Sequence, residues 1–235
     1  MYKKYLKILI SELLATFIFI FFAIGSVSVA ISFNSVINEL NLIIIALGAG
    51  LGVFISMSSF KNISEAHLNP AVTISMLISS KMNLLQSTIY IIAQLLGSII
   101  AVTFLYYFVW FSLGKGVGVH SLALEINLFD GLIIETILTF ILVFSILTTT
   151  KNNKTFLPFT VSLIVIMGQL IAVPLTGGSM NPARSFGPAL VSWEWTNHWI
   201  YWCGPIFGGI IATSIYVLVF GSEEERKLLG IIKLK

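Results

Sequence analysis

Six long apolar runs, at about 6–32, 41–60, 83–111, 128–149, 156–174 and 199–220, leave this chain few folds to choose from. A helix needs ~20 apolar residues to cross the hydrocarbon core of a bilayer. In lipid, a helix is the simplest way to pair every backbone polar group within its own segment. The runs therefore predict six spanning helices. Composition agrees: only 10% of the 235 residues are charged, where a soluble domain carries roughly 25%. Disorder would need low hydrophobicity and high charge. A single cysteine, Cys203, excludes a disulfide framework. No basic patch with interleaved aromatics supports a nucleic-acid partner. The first run is too long for a signal peptide, and no small-residue cleavage site follows it, so it reads as a retained span. The loops leave no room for an appended domain, which predicts one membrane domain over 1–235.

Charge placement sets the expected topology, because cations concentrate on the cytoplasmic side. Lys3, Lys4, Lys7, Lys61, Lys81, Lys151, Lys154, Arg226, Lys227, Lys233 and Lys235 all fall on one side of a six-span chain. Lys115 alone is left in an outer loop, and Arg184 lies beside a short apolar stretch. Both termini are thus expected in the cytoplasm. Trp110, Trp193, Trp195, Trp199 and Trp202 cluster near the opposite face, as an interfacial belt would.

The chain also repeats itself. Glu12-Leu-Leu-Ala-Thr16-Phe17 matches Glu135-Thr-Ile-Leu-Thr139-Phe140, and His67-Leu-Asn69-Pro70-Ala71-Val72-Thr73 matches Ser179-Met-Asn181-Pro182-Ala183-Arg184-Ser185. Each half, about 6–111 and 128–220, holds three spans. Three is odd, so the halves must insert in opposite senses, as an inverted repeat. Two stretches, about 70–80 and 182–192, are too short to span. Each begins Asn-Pro-Ala, with Asn a favoured N-cap and Pro a favoured first helical residue. They read as half-helices whose N-termini meet near the midplane. Backbone breaks at that depth are allowed only inside protein or along a watery cavity, so their meeting implies a pore.

Two Asn-Pro-Ala boxes on inverted half-helices, with Glu12 and Glu135 upstream, resemble the aquaporin (major intrinsic protein) family. The resemblance runs from about Ile10 to Phe220. The segment from Gly177 to Leu190, with Asn197-His-Trp-Ile-Tyr-Trp202 and Gly204-Pro205, looks most like the plant vacuolar-membrane (tonoplast) branch. That branch hints at an internal membrane, and the same pattern also fits a prokaryotic plasma membrane. The resemblance implies an all-α channel, a homotetramer with one pore per subunit, and water as solute.

On this reading Asn69 and Asn181 point amide donors into the pore, and Pro70, Ala71, Pro182 and Ala183 start and pack the half-helices. Two donors and two positive helix ends would orient a passing water and repel cations and protons. Arg184 is a charge at membrane depth, which marks function; the resemblance places it in the outer constriction. Counting from the boxes, Ala49, Gln169 and Gly178 complete that constriction. Relatives selective for water carry Phe and His at the first two. The smaller Ala49 and Gly178 predict a wider opening that passes water and also small neutral solutes such as ammonia, urea or hydrogen peroxide.

A glycerol facilitator is the near alternative. That branch has Asp at the place of Ser185, a basic residue at that of Ala189, and lacks the pair Tyr201 and Trp202. A proton-coupled carrier is the distant alternative, because Glu12 and Glu135 are acids at membrane depth. Their equivalent places in the two halves favour a structural role, accepting loop N–H groups. His67 reads as a loop-packing residue, with no second ligand at metal spacing. His120, His198 and Ser64 read as exposed loop residues. Cys203 lies off the pore. No metal cluster, triad or phosphate loop is present, which predicts neither an enzyme nor a cofactor.

Overall fold

The structure, a computed structural model, describes residues 2–33, 38–108, 116–223 and 226. Trp110, Lys115, Lys227, Lys233 and Lys235 lie outside them. Six long apolar helices cross the fold: α1 (Tyr2–Phe33), α2 (Glu39–Ser64), α4 (Leu84–Phe108), α5 (Leu128–Asn152), α6 (Leu157–Thr176) and α8 (Ile200–Ile215). A single π-helical turn, Tyr216–Phe220, continues α8. Two short helices, α3 (Pro70–Ile78) and α7 (Pro182–Ser192), stand between them.

Helix ends follow local chemistry. Asn38 caps α2 by accepting from Asn41 N at 2.9 Å. Asn127 caps α5 by accepting from Phe129 N and Asp130 N, each at 2.9 Å. Gly177 closes α6 in a left-handed conformation, φ 85°, that glycine adopts without strain.

The long helices turn apolar side chains outward and polar ones inward. Ile10, Leu47, Ile92, Ile141, Met167 and Ile211 are exposed, one from each long helix, whereas Ser11, Thr16, Ser56, Thr139 and Thr213 are buried. This suits a lipid surround, where apolar burial gives no drive and helices associate through close packing. α1 packs on α2 and α4, and α5 on α6 and α8. α2 meets α6 across the halves, while α3 rests on α8 and α7 on α4. Each half-helix is therefore held by a long helix of the other half.

Glycine sets the closest approaches. A Cβ at Gly97 would lie 2.5 Å from Leu13 O, and one at Gly208 would lie 2.2 Å from Thr136 O. Backbone cannot yield as a side-chain tip can. We predict that Gly208→Val separates α8 from α5, at about 1–3 kcal/mol or more. The melting temperature of the detergent-solubilised protein should fall clearly, whereas Ile211→Val on the lipid-facing side should leave it near wild type.

Candidate pore and constriction

The two boxes meet by reciprocal hydrogen bonds. Asn69 and Asn181 are both extended N-caps, with φ of −152° and −157°. Asn69 Oδ1 accepts from Ala71 N and Asn181 Oδ1 from Ala183 N, each at 2.9 Å. Asn69 Nδ2 donates to Met180 O, and Asn181 Nδ2 to Leu68 O, each at 2.8 Å. An amide nitrogen carries two hydrogens, so each Asn keeps one beyond this clasp. Pro70 and Pro182 occupy the first helical turns, where their missing N–H loses nothing. Leu68 and Met180 take left-handed φ of 58° and 53°. Such strain in non-glycine residues persists only where the surroundings fix it.

The fixing groups are the two buried acids. Glu12 accepts from His67 N at 3.0 Å, Leu68 N at 3.1 Å, Ser64 Oγ at 2.7 Å and Gln94 Nε2 at 2.9 Å. Glu135 accepts from Ser179 N at 2.9 Å, Met180 N at 2.7 Å and Thr176 Oγ1 at 2.7 Å. Each acid thus holds the two backbone N–H groups just before a box. Two tyrosines on equivalent helices complete the brace. Tyr90 Oη donates to Ser64 O, and Tyr201 Oη to Thr176 O at 2.9 Å.

A cavity of about 940 Å³ runs through this centre. Lys61, Lys81, Lys151 and Lys154 stand at one mouth, with Asn69 and Asn181 deeper and Ala49, Gln169 and Arg184 beyond them on the wall. Gly178 is not on the wall itself. Its carbonyl accepts from Gln169 Nε2 at 2.6 Å. A Cβ at Gly178 would press on that amide at 3.0 Å. Gln169 Oε1 has no protein partner among the described residues. Arg184 Nη1 donates to Gly118 O at 2.7 Å. The bore therefore carries fixed donors at its middle, and a cation and a free acceptor toward its end. Cys203 is not on the wall.

Three loop residues differ from expectation. Ser64 is buried and bridges Ser11 to Glu12 rather than lying exposed. His198 is half-buried and accepts from Trp202 Nε1 at 3.0 Å. His120 is only 4% exposed. Its Nδ1 pairs with Ser185 Oγ at 2.9 Å, and its ring packs at a tilt against that of Tyr201, centroids 4.9 Å apart. His67 makes the equivalent set, with Thr73 Oγ1 at 3.1 Å and Tyr90 at 4.8 Å. Thr73 and Ser185 are equivalent in the repeat, but the position equivalent to His67 is Ser179. The second histidine comes from another loop, so aligning the halves could not find it. Burial, and then the nearby Arg184 charge, hold the His120 imidazole well below the usual histidine range.

Six helices long and apolar enough to cross a membrane, around a cavity lined from the lysine mouth to Arg184, with two half-helices clasped at its centre, have the architecture of a membrane channel. The family model described as "Major intrinsic protein" matches residues 2–216, and the chain belongs to that family. It is similar to Aquaporin-4 of Mus musculus, 39% identical over 231 residues, which cover 96% of this chain and 71% of that protein. It is equally similar to Aquaporin TIP2-3 of Arabidopsis thaliana, 39% identical over 230 residues, covering 93% and 90%. The fold matches the aquaglyceroporin from Plasmodium falciparum with a TM-score of 0.84 at 26% identity, covering 97% of this chain and 100% of that one.

Proposed function

We propose that the protein is a passive, proton-excluding water channel that also admits small neutral solutes such as ammonia, urea or hydrogen peroxide. The clasp of Asn69 and Asn181 carries this reading. Each amide spends one hydrogen on the opposing loop and keeps one at the cavity wall. A water there accepts from both and turns its own hydrogens outward, which breaks any proton relay. The positive ends of α3 and α7 add a barrier to cations.

Selectivity belongs to Ala49, Gln169, Gly178 and Arg184. Arg184 donates, and the unpartnered Gln169 Oε1 accepts, so the constriction favours uncharged solutes able to do both. Ala49 leaves room beside them, and Gly178 makes room for the Gln169 amide and holds it through its carbonyl. Serine at 185 and the pair Tyr201 and Trp202 favour water over glycerol as the main solute. The two acids serve as braces, since their oxygens are taken up by loop donors. That use counts against a proton-coupled carrier. We place both termini in the cytoplasm, on the lysine-rich mouth, and the subunit in a homotetramer within the bilayer.

Stopped-flow light scattering on proteoliposomes tests the reading. Water flux should exceed that of empty vesicles, and urea should be reflected incompletely. Reflection of urea as complete as in a strict water channel would sink the wide constriction.

A further inference from the structure

Four lysines converge on the cavity mouth from four separate segments. Lys61 comes from the last turn of α2, Lys81 from the turn after α3, Lys151 from the end of α5 and Lys154 from the short turn before α6. A bias of cations to one membrane face accounts for lysines at this end of the fold. It does not account for their aim. Lys3, Lys4 and Lys7 meet the same bias and do not line this cavity.

The ammonium heads are also held in place. Lys61 Nζ donates to Thr155 O at 3.2 Å and to Lys154 O at 3.5 Å, and Lys151 Nζ donates to Phe220 O at 2.7 Å. Lys81 Nζ lies 5.2 Å from the centre of the Tyr216 ring, and Tyr216 itself lines the cavity. An ammonium has three N–H groups, so these carbonyls take only part of what Lys61 and Lys151 offer. A lysine fixed in this way has less rotamer freedom left to lose to a ligand. Among the described residues, Glu65 is the only carboxylate on the cavity wall. Its Oε2 lies 3.5 Å from His67 Nε2. That histidine, and then the charges of Lys154 and Lys81, hold the Glu65 carboxyl below the usual range. One acid among four ammonium groups leaves the entrance positive, a field that neutral solutes do not need.

We propose that the lysine mouth is a binding site for a multivalent phosphate-bearing anion, which seats across the entrance and lowers flux through the bore. Charges set around an opening suit a ligand with several charges and many acceptor oxygens, as linked phosphates have. Lysine binds phosphate as a point charge. Thr150 and Thr155 line the same entrance and carry hydroxyls able to donate as well. A soluble oligophosphate and a phospholipid headgroup share this chemistry. The effect on flux rests on the channel reading above, whereas the binding itself does not.

The test titrates tripolyphosphate into the detergent-solubilised full chain by calorimetry, at fixed ionic strength. The double variant Lys81→Gln with Lys154→Gln should bind about tenfold more weakly, the factor for one hydrogen bond to a charged group. Glu65→Gln removes the opposing charge and should tighten binding about threefold. The triple variant with Lys3, Lys4 and Lys7 each changed to Gln loses more charge away from the cavity and should bind as wild type does. Water flux is then read in proteoliposomes with tripolyphosphate on both faces, and separately in vesicles containing phosphatidic acid without it. A fall in wild-type flux that the double variant escapes identifies a soluble ligand in the first arm and a lipid headgroup in the second. Neither binding nor a fall in flux in either arm overturns the proposal. So does equal weakening in the triple variant, which would mean a diffuse surface charge. Tripolyphosphate binding to a protein that passes no water would instead sink the channel reading and leave the site standing.

Discussion

Glu135→Leu should leave almost no correctly folded channel. The substitution strands Ser179 N, Met180 N and Thr176 Oγ1, all buried around the second box. Each stranded donor costs about 1–3 kcal/mol, so the total approaches the ~5–15 kcal/mol that holds a typical domain together. Glu12→Leu should behave alike, since it strands His67 N, Leu68 N, Ser64 Oγ and Gln94 Nε2. Glu135→Gln keeps an acceptor but turns an amide N–H toward groups that are themselves donors, and should be intermediate. Size-exclusion profiles and thermal melts in detergent separate these cases. A Glu135→Leu protein melting within a degree or two of wild type would show that the acids are not braces.

Arg184→Leu should have the largest effect on selectivity. A unit charge about 5 Å from the path, at an effective dielectric of ~20, contributes about 3 kcal/mol to the barrier against a cation. Removing it should raise proton flux relative to water flux by about a hundredfold. The loss also frees the Gly118 carbonyl, so urea flux should climb with it. The positive ends of α3 and α7 remain, which keeps the variant from conducting freely. A pH-sensitive dye trapped in the vesicles reads the proton flux. An unchanged proton-to-water ratio would remove Arg184 from the barrier.

Much of this was legible in the sequence, because its signals are local or repeated. Apolar runs of spanning length give the long helices. Asn-Pro at the start of a run too short to span gives each half-helix. The paired Glu12 and Glu135 stand out as acids in otherwise apolar spans. What escaped is contact between segments that share no pattern. His120 lies in a loop with no counterpart in the first half, and only the folded chain brings it beside Ser185. Ser64 looks like loop chemistry, yet it ends α2 against Glu12. Gly178 was counted as a wall residue, but its part is a carbonyl offered to Gln169. Its missing side chain makes room for that amide rather than for solute.

The central claim is that the two clasped boxes form a bore that water crosses and protons do not. The most direct test measures osmotic water flux and proton flux on the same proteoliposomes under an imposed osmotic gradient and then an imposed pH gradient. The account predicts water flux well above empty vesicles, with a weak temperature dependence, and proton flux no greater than that of empty vesicles. Water flux equal to empty vesicles, or proton flux that rises with the protein, would contradict it.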